Sequence, residues 1–230
     1  MEEAKGLLLV GLPGCGKDTI KKAASSVLGR ALLDMDLGAI MGEGGGLIGS
    51  AELSIKRALQ IATTTKCVLG LSEYEKAVGG MQSSARTDGG ATSRVVGSLL
   101  SWLAEPHPGV FVIATANDVR ELAPEQVREG RFTPVFVDLP TRHDRAEIFR
   151  VHLAKRRRDP AEFDLEELAD RAEGYSGAEI EGGVKEGILE AFEDGKRPVR
   201  TDDILRALGN IRPLAQMKAS DIEDLRPLEL

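Results

Sequence analysis

A glycine-rich segment directly after an apolar run constrains this chain more than any other feature. Leu7 to Val10 are apolar, and the pattern G-x-x-x-x-G-K follows at residues 11–17, ahead of a helical pattern. Glycines let the backbone N–H groups surround a phosphate, and the next helix adds the positive end of its dipole. The segment predicts a phosphate-binding loop, or P-loop. The residues predicted to bind nucleotide here are Pro13, Gly14, Cys15, Gly16, Lys17, Asp18 and Thr19.

Four further apolar runs indicate that this loop belongs to a larger sheet. The five runs lie at residues 7–10, 31–37, 67–72, 110–116 and 134–139. They are apolar at consecutive positions, which is typical of parallel strands covered on both faces. Val96, Leu99, Leu100 and Leu103 form one helical stripe suited to burial against a sheet. The alternation predicts an α/β fold, with a parallel sheet sandwiched by helices.

The pattern changes after Pro140, where helical periodicity replaces strand-like runs. The helical patterns cover residues 141–158, 164–173, 176–194 and 201–208. Ser176 and Glu179 have the spacing of a capping box, and Thr201 is predicted to cap the last helix. We therefore predict a P-loop α/β core over residues 1–140. A small all-helical lid domain with a C-terminal tail is predicted over residues 141–230.

Two positions near the loop depart from the usual P-loop pattern. The residue after the loop lysine, ordinarily Ser or Thr for its Mg²⁺-binding hydroxyl, is Asp18, with Thr19 next. The second strand of such a site ordinarily ends in Asp and then Glu, but here it ends in Ser72 and Glu73. Asp18 and Ser72 together still supply one carboxylate and one hydroxyl. This favours a reciprocal exchange that keeps a Mg²⁺ site, and the alternative is a site that only binds nucleotide.

Composition narrows the setting of the protein. The formal net charge of −7 gives no support to nucleic acid as a partner. The chain has only two cysteines, which argues against a disulfide framework and favours a reducing, cytoplasmic location. No apolar run approaches the roughly 20 residues that a membrane span needs, so no membrane association is expected.

Seven short motifs taken together resemble the AAA family of AAA+ ATPases. They are GLPGCGK, CVLGLSEYEKA, FVIATAND, VREGRF, FVDLP, GYSGAEI and IRPLAQMK, and they extend over nearly the whole chain. The C-G-K of the loop and the P-L-A near the C-terminus most resemble a poorly characterised single-module branch. The resemblance implies ATP or ADP as ligand, Mg²⁺ as metal ion, and a homo-oligomer in the form of a hexameric ring.

The resemblance also implies roles for individual residues. Glu73 matches the base that activates water, and Asn117 matches the residue that positions the water and the γ-phosphate. Arg128 and Arg131 match arginine fingers that reach a neighbouring subunit's nucleotide. The positions matching those near adenine, ribose and the lid side of the nucleotide are Ile148, His152, Gly177 and Ala178.

Three functions stay open at this point. The first is an ATPase that remodels an unknown macromolecular partner, and the intact catalytic positions favour it. The second is a nucleotide-binding oligomeric scaffold with little or no hydrolysis, which the altered Asp18 and Ser72 favour. The third is a small-molecule kinase, which is disfavoured because the helical segment follows the sheet instead of being inserted into it.

Overall fold

The computed structural model describes residues 6–42, 48–79, 91–105, 107–117 and 132–217, and these form two compact units. Within those ranges, the first unit holds residues 6–11 and 17–136, and the second holds residues 12–16 and 137–217. Each unit has its own apolar core. The domain bounds drawn at residue 140 stay a prediction. Among the described residues, no helix combines the length and apolarity that crossing a membrane requires.

The first unit is a five-stranded parallel sheet with helices. Its elements are β1 (Gly6–Val10), α1 (Lys17–Leu28), β2 (Leu32–Asp36), α2 (Leu37–Gly42), α3 (Ile48–Thr65), β3 (Val68–Ser72), α4 (Tyr74–Gly79), α5 (Ala91–Ala104), β4 (Phe111–Ala116) and β5 (Thr133–Phe136). The strands lie in the order β2–β3–β4–β1–β5, and every pair is parallel. The predicted α/β P-loop class is confirmed. The last strand is shorter than predicted, because it ends at Phe136 and not at residue 139.

The apolar runs form strands that are buried on both faces. Leu8, Leu9 and Val10 of β1 point alternately to opposite faces, yet all three are buried. The predicted stripe on α5 packs into the same core, with Val96 and Leu99 fully enclosed. Because the strands are parallel, the residues that follow β1, β3 and β4 gather at one edge of the sheet.

The second unit consists of helices. They are α6 (Arg142–Lys155), a 3₁₀ turn (Pro160–Glu162), α7 (Leu165–Arg171), α8 (Gly177–Glu193), α9 (Thr201–Gly209) and α10 (Leu214–Met217). The predicted capping box at the start of α8 is confirmed, since Ser176 and Glu179 bond reciprocally.

The predicted N-cap of α9 is wrong by one residue. The helix already includes Thr201, and Arg200 holds the cap position. The carboxylate of Asp203 accepts a hydrogen bond from the Arg200 N–H at 2.8 Å, which satisfies that backbone group from inside the helix. The hydroxyl of Thr201 instead accepts from the Asp164 N–H at 3.1 Å.

Asp203 also generates a pH prediction for this unit. Its buried carboxylate accepts two hydrogen bonds from Arg197, at 2.7 and 2.8 Å. Hydrogen bonds from Arg197, with that from the Arg200 N–H, lower the pKa of Asp203 from 3.8 to about 2. A depressed folded-state pKa stabilises the folded protein above the unfolded pKa. This contribution, about 2 kcal/mol, is lost as the pH falls from roughly 4 to 2.

We therefore expect Asp203→Asn to lower the free energy of unfolding at pH 7, and the deficit to shrink between pH 4 and 2. Urea unfolding at several pH values measures both quantities. The exposed neighbour Asp202 supplies the control, since Asp202→Asn removes a carboxylate outside this ion pair. An Asp203→Asn deficit that stays constant down to pH 2 would contradict the linkage.

Candidate functional site

The predicted phosphate loop follows β1 and runs into α1. Gly14 and Gly16 have φ values of 84° and 95°, in the left-handed region that glycine adopts without a Cβ penalty. The Gly11 N–H donates to Ala116 O at 3.3 Å, which ties the start of the loop to the end of β4. α1 begins at Lys17, directly after the last glycine of the loop.

Lys17 is buried and connects the loop to the end of β4. Its ammonium donates to Gly11 O at 2.6 Å and to Asn117 Oδ1 at 2.9 Å. The structure thus brings two of the predicted site residues, Lys17 and Asn117, within direct hydrogen-bond distance. An ammonium and an amide at one sheet edge are suited to phosphate binding and to orienting a water molecule.

Glu75 extends this connection and was missed by the sequence reasoning. It lies on the short helix α4, is buried, and its Oε1 accepts from Asn117 N at 3.0 Å and from Asn117 Nδ2 at 3.2 Å. Its Oε2 has no hydrogen-bond partner among the described residues. Glu75 therefore fixes the amide orientation that presents Asn117 Oδ1 to Lys17.

Glu73, the predicted base, lies immediately after β3 in a left-handed conformation with φ 55°. Its Oε1 accepts from Lys76 Nζ at 2.7 Å, and this hydrogen bond raises the pKa of Lys76. A Cβ built on Gly38 overlaps Glu73 Oε2, so only glycine fits at residue 38 with the carboxylate in this place. Strained backbone held by its surroundings is a frequent property of functional residues.

A second buried ammonium, that of Lys21, lies among the altered metal-side positions. Its side chain is 0% exposed, and its Nζ is 2.9 Å from Asp18 Oδ1 and 2.5 Å from Ser72 Oγ. It also lies 2.8 and 2.9 Å from the two carboxylate oxygens of Asp34. Asp18 and Ser72 therefore contact the same group, but that group is the Lys21 ammonium. We refer to these four residues, Asp18, Lys21, Asp34 and Ser72, as the Lys21 cluster.

Helix period and strand register explain how these residues come together. Lys21 follows Lys17 by four positions, so both project from one face of α1. In the pairing of β2 with β3, Asp34 is opposite Gly70 and Ser72 lies two residues further along the same face. Two sequence signals could have revealed the cluster. One is Lys21, four residues after the loop lysine, and the other is Asp34, a carboxylate inside the apolar run of β2.

Gly70 provides the room that the Lys21 cluster needs. A Cβ built on Gly70 overlaps Asp34 Oδ1 and lies 3.1 Å from Lys21 Cδ. A side chain at this place in β3 would therefore separate the lysine from the carboxylate. The contact between Lys21 and Asp34 therefore depends on glycine at residue 70.

As arranged, the residues predicted to bind Mg²⁺ do not fit that ion. Mg²⁺ requires oxygen ligands at about 2.0–2.1 Å in octahedral geometry. The oxygens of Asp18 and Ser72 instead surround the Lys21 ammonium, which a dication at the same place would repel. Among the described residues, no group of three His, Cys, Asp or Glu side chains is suited to holding a metal ion. The assignment of Asp18 and Ser72 as metal ligands stays a prediction from the sequence, and this arrangement counts against it.

The predicted lid-side residues lie in the second unit. Within that unit, the Ala178 N–H donates to Gly14 O at 3.2 Å, and a Cβ on Gly177 would lie 3.2 Å from the same oxygen. Ile148 and His152 lie one turn apart on α6. Desolvation lowers the pKa of His152, against the opposing effect of the Glu181 carboxylate.

The remaining predicted site residues are exposed, half-buried or outside the described ranges. Pro13 and Thr19 are exposed, while Cys15 and Gly16 are half-buried. Arg128 and Arg131, the predicted arginine fingers, lie outside the described residues. Their roles, like those of the other site residues, stay predictions.

Comparisons with known proteins agree on the class of protein. A family model described as "ATPase family associated with various cellular activities (AAA)" matches residues 7–138, and an "AAA+ lid domain" model matches residues 162–206. The helical region predicted to be a lid thus matches a lid model in sequence.

Relatives of the chain are similar over most of its length. An "Uncharacterized AAA domain-containing protein ycf46" from Guillardia theta is 40% identical, and the alignment covers 96% of this chain and 43% of the relative. The protein of that name from Pyropia yezoensis is 38% identical, with 96% and 44% covered. "Peroxisomal ATPase PEX1" from Arthrobotrys oligospora is 31% identical, with 82% and 16% covered. The chain therefore spans less than half the length of these relatives.

The geometry around Gly70 generates a stability prediction. Gly70→Ala places a Cβ against Asp34 Oδ1 and Lys21 Cδ, so we expect a loss of about 1–3 kcal/mol in the free energy of unfolding. Urea unfolding measures the change. Gly97→Ala is the matched control: outside its own helix turn, no atom of the described residues lies within 4 Å of the added Cβ, and alanine is the better helix former by about 1 kcal/mol. Equal effects of the two substitutions would contradict the packing described for β3.

Proposed function

We propose that this chain, which belongs to the AAA family of ATPases, binds ATP and hydrolyses it to remodel a macromolecular partner. The observation that carries the proposal is the hydrogen-bond chain from Gly11 O through Lys17 and Asn117 to Glu75. It joins the phosphate loop to the end of β4 and presents an ammonium and an amide at the same edge. Both groups would act on a nucleotide's phosphates.

In the proposed reaction, the N–H groups of the loop and Lys17 bind the phosphates and hold the nucleotide in place. Glu73 takes a proton from the attacking water, and Asn117 orients that water toward the γ-phosphate. The water oxygen forms a bond to the γ-phosphorus, the bond between that phosphorus and its bridging oxygen breaks, and ADP and inorganic phosphate leave. Arg128 and Arg131 of a neighbouring copy would stabilise the charge that develops in the transition state. No step in this proposal is assigned to Mg²⁺.

The proposal includes assembly of the chain, since arginine fingers act on a neighbour's nucleotide. A homo-oligomeric ring, with a hexamer expected, would supply those residues in trans. A cytoplasmic setting and a protein as the remodelled partner belong to the proposal as well. The relative from Arthrobotrys oligospora is named a peroxisomal ATPase, which supports ATP hydrolysis as the reaction class.

The second candidate function is a nucleotide-dependent scaffold without turnover. The Lys21 cluster favours it, because an ammonium lies where the metal-side residues of an active site converge. Such a protein would change its assembly or partner binding with bound ATP or ADP. It would not need Glu73 for any step.

Hydrolysis measured across a protein concentration series separates these two functions. For the ATPase, we expect phosphate release per chain to rise with protein concentration, because the fingers act in trans. Glu73→Gln should lower that rate by about 10²–10⁴-fold, the range that a general base contributes. Lys17→Ala should abolish nucleotide binding, measured with a fluorescent ATP analogue.

The exposed Glu186 on α8 supplies the matched control, and Glu186→Gln should leave the rate unchanged. Nucleotide binding without phosphate release at every concentration would reject the ATPase and support the scaffold. Phosphate release that survives Glu73→Gln would remove Glu73 from the role of base.

A further inference from the structure

The Lys21 cluster resembles a cation-binding site, because side-chain oxygens surround a positive charge. Here that charge is the ammonium of a lysine and not a bound ion. Three different elements contribute its oxygens: Asp18 from α1, Asp34 from β2 and Ser72 from β3. Their distances to Lys21 Nζ lie between 2.5 and 2.9 Å. An ammonium has three donor hydrogens and no acceptor, and here oxygen atoms of three side chains surround it.

Burial indicates that this arrangement is a fixed part of the fold. The Lys21 side chain is 0% exposed, whereas that of Asp18 is 73% exposed. A buried ammonium requires paired carboxylates, since desolvation of an unpaired charge is costly. Loss of the Asp34 carboxylate would therefore leave this buried ammonium with Asp18 as its carboxylate partner among the described residues. A solvated surface lysine would have no such constraint.

The oxygens that Lys21 engages are the ones that a divalent ion would need. Asp18 stands directly after the loop lysine, and Ser72 ends β3 beside Glu73. These two positions were predicted to bind Mg²⁺ by exchanging a hydroxyl and a carboxylate. Their oxygens already satisfy the ammonium, and a dication within bonding distance of them would lie within a few ångströms of a positive charge.

Gly70 provides independent evidence that β3 is shaped around this ammonium. Its register partner is Asp34, and a Cβ at residue 70 would overlap Asp34 Oδ1. The strand therefore lacks a side chain at the one place where a side chain would separate Lys21 from its carboxylate. Lys21, Asp34 and the glycine that leaves room for them are therefore sterically complementary.

We propose that the Lys21 ammonium takes the place of the divalent ion at the protein side of this site, so that the chain binds nucleotide without Mg²⁺. Lys21 pairs with the carboxylates of Asp18 and Asp34 from within the fold, offsets one of their two negative charges, and does not itself touch the phosphates. The loop N–H groups and Lys17 then hold metal-free ATP or ADP. The inference rests on the nucleotide binding proposed above and holds for both candidate functions.

The test compares nucleotide affinity with magnesium chloride and with EDTA, using fluorescent analogues of ATP and ADP. For the unaltered chain, we expect the dissociation constant to differ by less than about threefold between the two buffers, under 1 kcal/mol. A triple variant, Lys21→Ala with Asp18→Ser and Ser72→Asp, removes the ammonium and restores the usual hydroxyl and carboxylate. We expect its affinity to rise at least tenfold when Mg²⁺ is added.

Lys22→Ala is the control, because it removes a neighbouring exposed lysine of α1 and should leave the unaltered behaviour intact. Urea unfolding verifies that the triple variant is folded. If the variant does not fold, the dissociation constants of the unaltered chain in the two buffers are sufficient to test the inference. An affinity of the unaltered chain that rises tenfold or more with Mg²⁺ would overturn the inference but leave nucleotide binding established. No nucleotide binding in either buffer would instead overturn the proposed function, and the inference with it.

Discussion

The structure of the α/β unit depends on the pairing of two ammonium groups that α1 carries into the interior. Lys17 and Lys21 are four residues apart on one helix face, and both are buried. A buried ammonium must be met by oxygen atoms, so each lysine determines the residues opposite it. Lys17 is met by a loop carbonyl and by Asn117 at the end of β4. Lys21 is met by oxygens from its own helix and from β2 and β3.

The fold was predictable because its signals lie in neighbouring residues of the chain. Part of the site was not predictable, because some of its residues meet only through contacts between distant segments. Consecutive apolar runs gave all five strands, and the stripe on α5 gave its buried face. The cap of α9 was missed because the acceptor for the Arg200 N–H is a side chain inside the helix, which outweighs a Thr at the expected position.

Lys21 and Asp34 were missed because their pairing depends on the register of β2 against β3, and spacing along the chain does not reveal which strands are neighbours. Glu75 was missed because it lies on a helix of six residues, too short to show a period.

The two candidate functions differ in how they use residues that lie side by side after β3. Glu73 has a left-handed backbone, and the missing side chain of Gly38 leaves room for its carboxylate. Such strain is costly, and a module that only binds nucleotide has no use for it. Ser72, one residue earlier, contacts the Lys21 ammonium and favours the opposite conclusion. The strand end thus combines an intact position for a base with an altered position for a metal ligand.

An internal ammonium and a bound divalent ion also differ in when their charge is present. Mg²⁺ arrives with the nucleotide and leaves with it, so the charge of such a site changes during each cycle. The Lys21 charge is part of the fold and stays constant whether or not nucleotide is bound. On the proposal made here, the residues after β2 and β3 therefore have the same electrostatic surroundings in every nucleotide state. Any difference between bound ATP and bound ADP must then reach the protein through the groups that face the phosphates, Lys17 and Asn117 among them, and not through a change of charge in the Lys21 cluster.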